Sequence, residues 1–154
     1  IVTGDLKGML DDEFRMLLGQ LPETCNFFAL MDACHSGSMF DLKYVIKGNN
    51  VETTTERDSL KANIVLLSGC KDNQTSASTT FGKQHKWNGA MTYGFLHIME
   101  YMEKNRMRHM DLNTFIKNIN MVTIRFPQQP QLSSSSPSFI NQQLVCSKTA
   151  FNVS

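Results

Sequence analysis

The run Phe27-Phe28-Ala29-Leu30-Met31, led in by Asn26, breaks abruptly into Asp32-Ala33-Cys34-His35-Ser36-Gly37-Ser38. An apolar run of this kind, without polar alternation, reads as a strand buried on both faces. Such strands belong to parallel sheets covered by helices. A second run, Ala62-Asn63-Ile64-Val65-Leu66-Leu67, ends in another polar cluster that begins at Ser68. In open α/β sheets, ligands bind beyond the carboxyl ends of the strands. The thiol of Cys34 is therefore expected on a rigid support at the mouth of a cleft. Gly37 and the small Ser36 and Ser38 leave room there for a substrate backbone. A lone cysteine at a strand end is ordinarily an inert core residue. Its surroundings change that reading. Asp32 precedes Cys34 by two residues, so strand periodicity puts both side chains on one side. A carboxylate beside a nucleophile favours a basic group on the substrate, and arginine can pair with it through two parallel hydrogen bonds.

The rest of the chain supports an α/β domain, with a mainly parallel sheet flanked by helices. Asp11 and Asp12 open an acidic first turn before Phe14, Leu17, Leu18 and Leu21, so residues 11–20 read as a short helix ended before Pro22. Residues 43–61 lack an apolar period and read as a long exposed loop, and residues 72–88 as another polar loop. Ala90, Met91, Phe95, Ile98, Met99 and Met102 recur at helical spacing and predict a helix over 89–104. Asp111 suits the cap of a further helix carrying Leu112, Phe115, Ile116, Ile119 and Val122 on one side. The Ser133–Ser136 run reads as a linker-like tract. Leu144-Val145-Cys146 reads as an edge strand. The chain has 154 residues and four cysteines with no CxxC spacing, and its net charge is +1. These values suit one domain at most, and they argue against a disulfide framework, a zinc site, nucleic acid or an anionic membrane as partner. A reducing, cytoplasmic setting fits a free nucleophilic thiol.

Asp32-Ala33-Cys34-His35-Ser36-Gly37 resembles the nucleophile motif of the metacaspases, caspase-like cysteine peptidases of plants, fungi and protists, which reads Asp-Ser/Ala-Cys-His-Ser-Gly. Further landmarks follow in the family's order. They are Asp11-Asp12-Glu13, Asp41-Leu42, the Ser68 to Ala77 segment, Gly89-Ala90-Met91-Thr92-Tyr93-Gly94-Phe95, and Pro130-Gln131-Leu132-Ser133-Ser134. The resemblance covers nearly the whole chain. It implies a caspase-like three-layer α/β/α fold, incomplete at its N-terminus. On that reading residues 1–154 are the C-terminal portion of one peptidase domain. The large-subunit end is at about 1–45, an exposed loop at about 43–61 and a small-subunit-like part at about 62–154.

The same resemblance implies a cysteine endopeptidase that cuts after Arg or Lys and is stimulated by calcium. Cys34 would be the nucleophile, Asp32 and Ser68 would bind substrate, and Asp11, Asp12 and Asp41 would be calcium ligands. The family's base is a His in a Ser-Gly-His-Gly loop that ends an earlier strand. The four histidines, His35, His85, His97 and His109, lie in no such segment. The chain opens at Ile1, so it is expected to be a fragment beginning after that loop, or a mature subunit without its partner polypeptide. The fragment alone is expected to be inactive. The expected partners are the N-terminal segment of the same domain and protein substrates with Arg or Lys before the cut. The protein is expected to be a monomer, and its 43–61 loop, which carries Lys43, Lys47, Arg57 and Lys61, offers basic sites of the kind such peptidases cut in themselves, although each charge taken singly reads better as solubilising. The alternative is an inactive homologue that acts as a binding or scaffold module.

Overall fold

Ile64 and Leu66 of one strand point to one side of the central sheet, and Val65 and Leu67 point to the other, and all four are almost fully buried. That alternation needs a core on each face, and it organises the whole molecule. The computed structural model describes residues 11–32, 40–47, 50–54, 60–69, 78–81, 86–126, 129–146 and 151–153. In chain order the elements are α1 (Asp11–Leu18), β1 (Asn26–Met31), β2 (Tyr44–Lys47), β3 (Asn50–Thr53), β4 (Asn63–Ser68), β5 (Ser78–Phe81) and β6 (Lys86–Gly89). They continue with α2 (Ala90–Lys104), β7 (His109–Asp111), α3 (Leu112–Val122), β8 (Gln131–Ser134), a 3₁₀ turn (Pro137–Asn141), β9 (Gln143–Cys146) and β10 (Phe151–Val153).

The main sheet has the order β1-β4-β8-β2-β3. β1 and β4 are parallel, whereas β8 is antiparallel to both β4 and β2, and β2 is antiparallel to β3. One face carries α1, through Leu18 and the partly buried Phe14, against Ala29, Phe40, Leu42, Ile64 and Leu66. The other carries α2 and α3, whose Met91, Ile98, Met102, Phe115, Ile116 and Ile119 join Val65, Leu67 and Leu132. The two helices approach closely: a Cβ on Gly94 would come within 2.9 Å of the Thr123 methyl. Phe95 and Phe115 meet edge to face at 5.9 Å. The result is the three-layer α/β/α arrangement of a caspase-like fold.

Five local expectations are corrected. Residues 43–61 contain a hairpin, β2–β3, closed at its base by Thr54 N donating to Lys43 O at 2.8 Å and Thr54 Oγ1 to Leu42 O at 3.0 Å. Residues 72–88 contain a second hairpin, β5–β6. The first half of the serine run, Ser133 and Ser134, completes the interior strand β8 rather than a linker. Ser134 and Ser135 donate through Oγ to Ile64 O and Ala62 O, both at 2.8 Å, so their short hydroxyls lace β8 to β4 in the core. Leu144-Val145-Cys146 is the central strand of a separate sheet, β10-β9-β7, because residues 151–153 add a strand beyond it. β1 is also less covered than its composition suggests, with Phe27 37% exposed at the sheet edge.

Asp111 ends β7 and caps α3, accepting from Thr114 N at 2.8 Å. Partial burial pushes its carboxyl up, but the hydrogen bonds from Thr114 outweigh this and hold it below the ordinary carboxylate value. A depressed folded value stabilises above the unfolded pKa of about 4 and is lost as pH falls through the folded value. Asp111→Ala is expected to cost about 1 kcal/mol at neutral pH. That difference from wild type should shrink on acidification below about pH 4, as read by urea melts at a series of pH values.

Candidate active site

The parallel pairing of β1 with β4 brings two carboxyl ends side by side. Met31 is level with Ser68, and Gly69 N donates to Met31 O at 2.9 Å. The chain leaves this edge at Asp32. Phe28 and Leu30 pack into the core beneath α2, and Asp32 continues their line. Its Oδ2 accepts from Thr92 N at 3.0 Å and from Thr92 Oγ1 at 2.6 Å. Thr92 is the third residue of α2, where a helix exposes backbone N–H groups that lack an internal partner. Gly89, at the N-cap, has no side chain to supply one, and the first turn holds no acidic residue. Asp32 therefore caps α2 from a different element, where the positive end of the helix dipole favours a carboxylate. Gly89 is needed for the approach: an added Cβ would coincide with the Asp32 carboxylate.

Cys34 and His35 lie outside the described residues, within 33–39. Both ends of that segment are placed. Asp32 roots one end. At the other, Phe40 is 3% exposed and its ring centroid is 5.6 Å from that of Phe14 on α1. Arg15 of α1 donates through Nη1 to Asp41 O at 2.8 Å and to Phe40 O at 3.3 Å. Asp41 adopts φ 46°, a left-handed conformation that Asp tolerates better than most residues. The residues flanking that segment, Asp32 and Phe40-Asp41, are thus held at the β1–β4 edge and against α1.

The remaining candidates divide. Ser68 is fully buried and its Oγ donates to Gln131 O at 3.3 Å, so the hydroxyl joins β4 to the start of β8. Pairing places Gln131 beside Ser68 but Ser134 beside Val65, so the serine run leads away from the Asp32 edge rather than toward it. Asp11 and Asp12 form the exposed first turn of α1, where Asp12 N donates to Asp11 Oδ1 at 3.1 Å. Arg15 joins that helix to Asp41. Among the described residues no three acidic, histidine or cysteine side chains group closely enough to share a metal ion. The donors have the hard-oxygen chemistry that calcium takes, but they do not form a ready-made three-carboxylate cage.

His85 is outside the described residues. His97 is exposed on α2 and stacks on Tyr93 at 6.0 Å. It stands five residues beyond Thr92, which at about 100° per residue turns it well away from Asp32. His109 is exposed on β7, by Met107 and Glu103 at the C-terminal end of α2, where these residues border a cavity of about 1190 Å³. A helix rises 1.5 Å per residue, so that end is roughly 17 Å from Thr92. Neither described histidine adjoins the Asp32 edge. Sequence reasoning missed Thr92, Gly89 and Arg15 as parts of this site. The signal for the first two was a helix beginning with Gly and lacking an acidic first turn, a start that calls for a cap from elsewhere.

A family model described as "Caspase domain" matches residues 2–140. Over 175 residues the chain is 30% identical to Metacaspase-1 of Mycosarcoma maydis, covering 82% of this chain and 42% of that protein. It is 32% identical over 146 residues to Metacaspase-3 of Trypanosoma brucei brucei, covering 86% and 40%. Over 103 residues it is 31% identical to Metacaspase-2 of Arabidopsis thaliana, covering 60% and 25%. The chain thus spans less than half the length of these curated relatives. With the three-layer fold and a carboxylate at the strand end two residues before Cys34, these matches identify the chain as a metacaspase-like member of the caspase-domain family of cysteine peptidases.

Proposed function

We propose that the whole protein is an endopeptidase that cleaves after Arg or Lys, with Cys34 as nucleophile and Asp32 as acceptor for the basic side chain before the cut. The observation that carries this reading is the Asp32 carboxylate, fixed by Thr92 at the carboxyl end of β1 and two residues before Cys34. The Cys34 thiolate attacks the scissile carbonyl, the amine leaves with a proton, and water hydrolyses the resulting thioester. The Cys34 backbone N–H is placed by sequence to help hold the oxyanion. As the metacaspase resemblance implies, the base is a histidine beyond residues 1–154; His97 and His109 stand away from the Asp32 edge, and His35 and His85 lie outside the described residues. Ser68 supports the β4–β8 side of the site by holding Gln131. Self-cleavage falls at Arg57 or Lys61 rather than at Lys43 or Lys47, because the β2–β3 hairpin holds the latter two.

Calcium stimulation rests on donor chemistry: the oxygens of Asp11, Asp12 and Asp41 are of the kind a hard cation takes. Calcium would supply charge neutralisation between α1 and the segment after Cys34, the join that Arg15 makes in this structure. Among the described residues no helix is long and apolar enough to cross a membrane.

The test is a cleavage profile of the full-length protein on fluorogenic peptides ending in Arg, Lys or Asp, with calcium titrated. Turnover after Arg and Lys but not Asp is expected. Turnover after Asp would overturn the specificity, and no turnover on any peptide would favour a binding module. Calcium dependence that is unchanged in Asp41→Ala would remove these aspartates as ligands.

A further inference from the structure

Thr92 makes two bonds to one carboxylate oxygen, and it makes them from a helix end. We infer that Thr92 is a positioning residue that aims Asp32 and thereby sets how strongly the site prefers arginine over lysine. The inference rests on the reading of Asp32 as the acceptor for the basic side chain.

A carboxylate at the end of a strand turns about two side-chain torsions. Its χ2 is broad and roughly two-fold, so an unsupported Asp samples many orientations. The bond from Thr92 N fixes where Oδ2 sits. The 2.6 Å bond from Thr92 Oγ1 comes from a second direction on the same oxygen and removes the remaining rotation. Gly89 closes the third side, since its backbone packs where a Cβ would strike the carboxylate. An ionised carboxylate offers about four acceptor positions. Holding Thr92 therefore does not prevent it from also accepting from a substrate cation.

The two basic side chains place different demands on such a group. A guanidinium is a planar fork, and its two parallel bonds need the carboxylate plane set in advance. An ammonium is a compact point charge that follows the carboxylate wherever it turns. A fixed Asp32 therefore helps arginine more than lysine, and a loosened one should lose that advantage while keeping its charge.

The experiment uses the full-length protein, with kcat/KM measured on matched Arg-ending and Lys-ending peptides. Thr92→Val keeps the branched shape and the backbone N–H but deletes the Oγ1 donor. It should lower the Arg-to-Lys ratio of kcat/KM about tenfold, the worth of one misaligned charge-assisted bond. The change should lie in KM more than in kcat. Thr92→Ser, which restores the hydroxyl, should recover the wild-type ratio. Gly89→Ala should lower the ratio by the independent route of displacing the carboxylate. Melting temperatures are read alongside, because a Thr92–Asp32 contact that merely caps α2 would, when lost, lower stability and leave the ratio alone. An unchanged ratio in Thr92→Val, with Asp32→Asn still impairing cleavage after both residues, overturns the role of Thr92 and leaves the pocket reading intact. An Asp32→Asn variant that cleaves normally overturns the pocket reading instead, and the role of Thr92 with it.

Discussion

Cys34→Ala in the full-length protein is expected to abolish turnover on every basic peptide, a loss on the order of 10⁴-fold or more. The thiol is the only group in the Asp32–Ser38 segment able to form the acyl intermediate at neutral pH. The neighbouring serines would need an activating base of their own. Residual activity from substrate positioning and oxyanion bonding survives the loss of a nucleophile, but it is small on this scale. Thermal melts separate a chemical from a structural loss. An unchanged melt together with full loss of turnover supports the assignment, whereas retained turnover sinks it. A further check is irreversible labelling by iodoacetamide, which should be lost in Cys34→Ala only if Cys34 is the reactive thiol. The free, half-buried Cys25 provides the internal control for background labelling.

Asp32→Asn is expected to reduce kcat/KM on both Arg and Lys peptides by about 10- to 100-fold, the equivalent of about 1.5–3 kcal/mol for a charge-assisted hydrogen bond. The substitution separates two jobs that one carboxylate performs here. An asparagine carbonyl oxygen can still accept from Thr92 N and Thr92 Oγ1. The cap on α2 is therefore largely kept, and the stability change should stay within about 1 kcal/mol. What disappears is the negative charge that a basic substrate side chain meets. A marked loss of cleavage with a nearly unchanged melting temperature is the expected result. The reverse pattern, lower stability with normal cleavage, would show that Asp32 serves α2 alone. Asp32→Ala would not make this distinction, because it removes cap and charge together.

The parts legible in the sequence are those whose signal is local. Phe27–Met31 and Ile64–Leu67 read as strands because each run is apolar over its whole length, and they pair in parallel, although only the second is buried throughout. The period of Met91, Ile98 and Met102 in α2, and of Phe115, Ile116 and Ile119 in α3, marks the faces that the sheet buries. Asp111 announces its own helix, because the donor it satisfies is only three residues away. The β2–β3 hairpin also carried a local signal, Gly48-Asn49 between short β-branched runs, but the threonines and charges around it hid the alternation.

The parts decided by tertiary structure are those in which polar atoms find partners far along the chain. The serine run has the composition of a linker. Its first half completes an interior strand, and the hydroxyls of Ser134 and Ser135 reach the carbonyls of Ile64 and Ala62, some seventy residues earlier. Arg15 is an unremarkable surface residue of a short helix until folding sets the Asp41 carbonyl against it, 26 residues away. Asp32 is the decisive case. The sequence alone placed a carboxylate at the strand end, two residues from the thiol, because strand periodicity is a property of the backbone. Only the packed structure set the start of α2 against it, 60 residues on, where an uncapped helix end needed an acceptor and a glycine left it room. Periodicity is written residue by residue, whereas the partner of a polar group is chosen by whichever segments the core brings together.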